Sequence, residues 1–398
     1  MPMKTVNYGW IIVGIGALVK MAGLGFGRFA YPMLLPNMRG SLGFNYIEMG
    51  LLSGAILLGY LLFSFVGGMM ATRFGPKRVV IISLLCGALS MFFISRLSGF
   101  LPLIFLTFAM GGGAGGTHIS ITTLPMAWFE ERRLGRALGV VTGGTGLGII
   151  VTGLLLPYLL LNLGKEAWRQ CWLLLALITF LVAIMGWILL KEKPSQMILP
   201  PSSPDGYKES IPSSGKRNGL TLRAIFITYF IFGFAYIIYN TYFVAYMVEE
   251  IRLTEKTAGN IWALFGWMSM VSGLVWGYIS DRLGRRKALL WNNGIMAFSV
   301  LLPLLLHRPF FLGLSAFLFG FVLSGTITII AAAIGDQVVE KRASVYGLVT
   351  LTHGIGQFLG TISGGYLKDL TGSFQLTLIV SLTGFLLCIL LTFINKEG

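Results

Sequence analysis

Twelve apolar stretches divide this chain, at roughly 8–36, 48–71, 79–95, 100–127, 137–162, 168–190, 222–248, 258–280, 288–306, 310–335, 345–367 and 374–394. Each is long enough for the ~20 residues a helix needs to cross the hydrocarbon of a bilayer. Lipid offers no water to a free amide or carbonyl, so a segment of this kind must satisfy its backbone internally, as a helix. The fold class is therefore all-α and integral to a membrane. Only 11% of residues are charged and mean hydropathy is +0.80, whereas a soluble domain carries about 25% charged residues. The 53 glycines suit close helix contact in lipid.

A net charge of +15 could suggest a nucleic-acid partner, but its distribution argues against one. Basic residues cluster in alternate loops, as orientation in a bilayer requires. Placing the N-terminus inside puts twenty Lys/Arg in cytoplasmic segments and eight in outer loops, with Lys20 and Arg28 left in the membrane. The reading is a multi-pass protein with both termini cytoplasmic and the lipid bilayer as its partner. Cys86, Cys171 and Cys388 lie inside apolar runs at no metal or disulfide spacing. Neither a metal nor a cofactor is expected.

The one long polar connection, 191–221, is rich in Pro, Ser and Lys and reads as a poorly ordered cytoplasmic linker. It separates residues 1–190 from 222–398, and these halves repeat at an offset near 208. Gly68-Met-Met-Ala-Thr-Arg-Phe-Gly-Pro-Lys-Arg78 matches Gly277-Tyr-Ile-Ser-Asp-Arg-Leu-Gly-Arg-Arg-Lys287, and Gly139-Val-Val-Thr142 matches Gly347-Leu-Val-Thr350. Two similar six-helix halves describe a rocking transporter with its site between them.

The paired G-x-x-x-D-R-x-G-R-R turns, twelve spans and central loop resemble the major facilitator superfamily over the whole chain. That implies twelve transmembrane helices in two pseudo-symmetric six-helix bundles. Within it, Gly25-Phe-Gly-Arg-Phe-Ala-Tyr-Pro-Met-Leu-Leu-Pro36 resembles the signature of the YbfB-type bacterial group, which implies a monomer in the bacterial inner membrane. The chain departs from the drug–proton antiporters of the superfamily. Thr72 stands where the turn motif has Asp, Thr107 near where they carry a buried Arg, and Gly143–Gly148 lacks their Gly-Pro pair.

Basic side chains enter the apolar segments and carboxylates do not: all fifteen Asp and Glu fall at segment ends or in loops. A charge in hydrocarbon costs a few kcal/mol or more, so Lys20 and Arg28 are candidates to line the translocation path. At 100° per residue they share a face with Tyr31. His118 follows a glycine run in the fourth segment, and His353 shares a stripe with Thr350 and Gln357 in the eleventh. Segment seven carries Tyr229, Tyr236, Tyr239, Asn240, Phe243 and Tyr246 on one face, the repeat counterpart of the Lys20–Tyr31 face. The substrate-binding set is then Lys20, Arg28, Tyr31, His118, Tyr236, Tyr239, Asn240, His353 and Gln357. Each has a plainer alternative as a satisfied interior side chain.

Arg73, Asp281, Arg282 and Arg285 in the repeated turns are candidates for a gate, with partners expected among Glu130–Arg133, Asp336, Glu340 and Arg342. Glu48, Glu249 and Glu250 read as solvated caps, and His307 as a solvated loop residue. No catalytic constellation is visible, so an enzyme is not expected. A path lined by cations and neutral polar groups favours a small organic anion of the monocarboxylate kind, with protons as a possible second partner. The alternative is efflux of amphipathic drug-like compounds, in which aromatics dominate and the cations are structural.

Overall fold

The computed structural model describes residues 3–164, 166–192, 221–337 and 342–395, so the 191–221 linker falls almost wholly outside the described residues. Twelve helical spans run through them. The first, α1, is continuous from Met3–Lys20 through a π-helical stretch, Met21–Phe26, then Gly27–Phe29 and Tyr31–Leu42. It is followed by α2 (Tyr46–Phe74), α3 (Pro76–Ile94), α4 (Phe100–Thr123), α5 (Glu131–Leu163) and α6 (Ala167–Leu189). The second set is α7 (Leu222–Ala245, ending in π-helix Tyr246–Glu250), α8 (Glu255–Leu283), α9 (Arg285–Leu305), α10 (Pro309–Gln337), α11 (Arg342–Thr371) and α12 (Gln375–Ile394). Eleven of these are long and apolar enough to cross a membrane. The exception is α11, whose Thr350, Thr352, His353 and Gln357 dilute its apolar character.

Packing repeats between the halves. Helix α2 lies against α4 as α8 lies against α10, and α1 against α5 as α7 against α11. Across the middle, α5 packs on α8 and α2 on α11, again a symmetric exchange. The repeat reaches the backbone of the basic turns. Gly75 and Gly284 adopt φ/ψ of 87°/143° and 83°/152°, a region that only glycine enters without strain. Each then starts the next helix, so the two turns are one structural device used twice.

Glycine also sets how closely helices approach at the centre. A Cβ on Gly25 would lie 2.7 Å from Gly148 Cα. One on the counterpart Gly233 would lie 2.6 Å from His353 Nδ1. These contacts draw α1 onto α5 and α7 onto α11. Large apolar side chains such as Phe65, Leu101, Trp187 and Phe310 are exposed on the outside, where lipid covers them.

Polar contacts between the halves gather at the end away from Met3 and Ile394. Arg39 of α1 pairs with Glu249 at 3.5 Å, and Asn37 donates to Glu255 at 3.0 Å. Tyr46 donates its hydroxyl to Glu249, and Asp369 of α11 accepts from the Tyr46 and Ile47 amides that open α2. At the opposite end the ion pairs described stay within one half: Arg285 bonds Asp281 at 2.5 Å and Asp336 at 2.8 Å. Among the described residues, the polar ties between the halves thus gather at one end.

Candidate functional site

Arg28 is the residue that joins the two halves at mid-depth. Its Nη2 donates to the Tyr236 hydroxyl of α7 and to Gln357 Oε1 of α11, both at 3.0 Å. The guanidinium lies 4.9 Å from the centroid of the Tyr60 ring on α2, a cation–π contact. Its Nε is buried without a partner.

The bonds beyond Gln357 have one consistent sense. With Oε1 turned to Arg28, the Gln357 amide nitrogen faces His353 Nε2 at 2.6 Å, and His353 Nδ1 faces the Tyr229 carbonyl at 3.2 Å. A carbonyl can only accept, so Nδ1 carries the proton and Nε2 accepts from Gln357. The His353 ring stacks on Tyr229 at 4.2 Å and 9°. Arg28, Gln357, His353 and the α7 backbone form a single directed chain of donors.

Lys20 points elsewhere. It is 1% exposed, and its Nζ lies 2.8 Å from His118 Nδ1 on α4. A lysine ammonium has donors only, so Nδ1 accepts and the His118 proton sits on Nε2. His118 itself is half-buried, with its ring 5.8 Å from that of Tyr60. Lys20 is therefore a charge held behind His118, and His118 is the one that can face a ligand.

Every described Asp and Glu sits at a helix end or in a loop, and among the described residues none bonds Lys20 or Arg28. Two interior cations with only neutral partners are electrostatically incomplete, because buried charge is costly unless paired.

The structure brings Lys20, Arg28, His118, Tyr236, His353 and Gln357 together around Tyr60. Three other candidates remain. Tyr31 is buried and donates to the Met49 carbonyl at 2.7 Å. The shared face expected for Lys20, Arg28 and Tyr31 assumed one uniform α-helix, and the helix is interrupted twice, by the π-helix Met21–Phe26 between Lys20 and Arg28 and by a bend at Ala30 between Arg28 and Tyr31. Tyr239 is buried in the second bundle, hydrogen-bonded to Ser315 at 2.6 Å and stacked on Phe319 at 4.0 Å. Asn240 is buried with its Oδ1 unpartnered.

Of the gate candidates, Asp281 and Arg285 form the intra-half network above, while Arg73 and Arg282 lie over their neighbours Phe74 and Tyr278. Glu340 and the side chains of Glu131, Arg132 and Arg342 fall outside the described residues. Glu249 is not the solvated cap expected of it, because Tyr46 and Arg39 from the other half converge on it. Glu250 ties α7 to the turn before α12, accepting from Ser373, Phe374 N and Lys368. Tyr60 escaped the sequence reading. Its signal was the polar stripe Ser53, Tyr60, Ser64 on one face of an otherwise apolar helix.

Two bundles related by an internal repeat, with a polar cluster held between them at mid-depth, define a membrane transporter of the major facilitator type. The same fold occurs in a solved transporter. A bacterial homologue of the human lysosomal transporter Spinster, in an inward-facing and unoccupied conformation, superposes with a TM-score of 0.79 at 13% identity, covering 98% of this chain and 97% of that one. The chain belongs to the family described as uncharacterised MFS-type transporter YbfB, which it matches over residues 20–393. Among its relatives, the hexuronate transporter of Bacillus subtilis is 24% identical over 87% of this chain and 85% of that protein. A probable sulfoacetate transporter of Cupriavidus necator is also 24% identical, over 87% and 84%.

Proposed function

We propose that this protein is a secondary transporter that carries a small organic anion, monocarboxylate-like, through a bacterial inner membrane by alternating access, with protons as the coupling ion. The observation that carries the reading is Arg28, a cation at the seam of the two halves whose only described hydrogen-bond partners are neutral. A carboxylate fits a guanidinium better than a phenol and an amide do, since it opposes the positive charge with a full negative one and accepts from the planar fork with both oxygens. Arrival of the anion then competes with the bonds that tie Arg28 to α7 and α11, so binding loosens one half from the other. The relatives named for hexuronate and sulfoacetate support this class of substrate.

With both termini cytoplasmic, the end tied by Glu249 and Asp369 faces outward and the conformation is inward-facing. Amphipathic efflux draws less support. The stacked aromatic pair Tyr239 and Phe319, which such compounds would need, is 0–1% exposed and packs the core of the second bundle. Flux into proteoliposomes tests the reading. Labelled organic acids should accumulate in response to a pH gradient, and hydrophobic cations should not; the reverse preference would refute it.

A further inference from the structure

Resting on that reading, we infer that Lys20 and His118 form the proton-binding site of the transporter, and that His118 is the group that gains a proton when the anion arrives. Two histidines lie within the bundle, and their surroundings separate them. His353 has both ring nitrogens engaged, Nδ1 to the Tyr229 carbonyl and Nε2 to the Gln357 amide. Protonating Nε2 requires Gln357 to turn its oxygen toward His353, which swings its NH2 group against the Arg28 guanidinium, donor facing donor. Arg28 thereby keeps His353 neutral.

His118 is built differently. Nε2 already carries its proton and has no hydrogen-bond partner among the described residues, and Nδ1, the nitrogen with the open lone pair, is engaged only by Lys20 at 2.8 Å, on a flexible stem that can turn aside. The titratable and charged groups facing it are Lys20 and Arg28 from α1 and Tyr60 from α2, with Tyr236 of α7 and Tyr346 and His353 of α11 beyond Tyr60. No carboxylate is among them. The Lys20–His118 contact shares one positive charge between two bases and leaves room for one more proton.

In the empty site a second proton would stand beside two cations and is repelled. An anion on Arg28 removes much of that repulsion, so anion and proton favour each other's binding by the same factor. The step passes a proton from Lys20 Nζ along the N–H···N contact to His118 Nδ1, and Lys20 regains one from solvent, so that Lys20 ammonium with neutral His118, plus one proton, becomes Lys20 ammonium with imidazolium. The N–H···N contact then breaks, since both partners are donors.

The test is proton uptake by the purified full-length protein in weakly buffered detergent solution, read with a pH dye during titration with sodium lactate, glucuronate or muconate. Near neutral pH, one proton should be taken up per anion bound, with affinity rising ~10-fold per unit fall in pH. His118→Gln should bind the acid more weakly and take up no proton, and its affinity should not vary with pH. His353→Gln should still take up a proton with every anion it binds. Lys20→Met supplies a second check: without the neighbouring cation His118 is already protonated in part, and uptake falls below one. Binding without uptake in the wild type, or uptake that survives His118→Gln, overturns the proton site and leaves the anion reading standing. Failure of every acid to bind overturns both.

Discussion

Arg28 and Tyr236 share a hydrogen bond of 3.0 Å and are separated by 208 residues, the offset of the internal repeat. They are therefore counterparts of one another, and the bond between them lies where the two halves meet about their pseudo-two-fold relation. A symmetric ancestor cannot place a cation and its acceptor at both positions, so this site records where the halves have diverged. Arginine came to rest on one side and its hydroxyl acceptor on the other.

Arg28→Gln should weaken organic-acid binding by ~10-fold or more, because a hydrogen bond to a charged group is worth about 1.5–3 kcal/mol. Arg28→Lys should recover only part of the loss, since an ammonium cannot present a planar fork. Calorimetric titration with a panel of acids measures both. Wild-type affinity in the Gln variant would remove Arg28 from the site.

At the closed end, Glu249 accepts from Tyr46 and Arg39 of the opposite half. Glu249→Gln should shift the population toward opening at that end. A cysteine introduced at Ser53, which sits 3.4 Å from Thr241 across the seam, reports the shift through faster labelling by a membrane-impermeant thiol reagent from outside. Unchanged labelling would reduce Glu249 to a structural cap.

Arg285 is held by Asp281 and Asp336 within one half, and the Asp281 side chain is 68% exposed. Exposed pairs of this kind contribute little to stability, roughly 0–1 kcal/mol. Their expected role lies in the other conformation, where this end closes and Asp281 meets the opposing turn. Asp281→Asn should therefore leave thermal stability nearly unchanged and increase labelling from the terminus-bearing side. A large drop in melting temperature with no change in labelling would assign Asp281 to folding.

The Ser41 hydroxyl and then Arg169 hold the Glu166 carboxyl below its ordinary range. The sign follows from a depressed carboxylate. The contribution is present above the unfolded-state value and disappears as pH falls through the lower folded-state one. Acid should loosen this link between α1 and α6, and Glu166→Gln should remove the pH dependence of backbone protection at Ser41, measured as exchange relative to the intrinsic rate at each pH.

Spans, halves and the basic turns were legible because each has a dense local signal: runs of apolar residues, a repeated motif, glycines at matching positions. Lys20, Arg28 and the two interior histidines were legible for the opposite reason, as ionisable side chains where lipid penalises them. The partners of those residues were not. His118 lies 98 residues from Lys20 and Gln357 lies 329 from Arg28, and no periodicity within a helix reports a contact between helices. Tyr31 shows the same limit from the other side, since it parts from Arg28 at a bend at Ala30 that no helical periodicity anticipates. Glu249 looked like any acidic residue at a helix end until Tyr46 and Arg39 were seen to converge on it.

The π-helical stretch Met21–Phe26 separates Lys20 from Arg28 and works as a length of slack in the chain. A π-turn holds one residue more than the i→i+4 pattern of an α-turn needs. Deleting one residue between Ala22 and Phe26 should let the stretch tighten to α-helix with both flanks kept in phase, because the extra residue of a π-turn adds almost no net rotation to the helix that follows. Lys20 would still face α4 and Arg28 would still reach Tyr236 and Gln357, whereas the same deletion in the α-helical part before Lys20 would rewind the two ends against each other by about 100°. The surplus residue between the two cations of α1 is thus slack that this helix can take up without being broken.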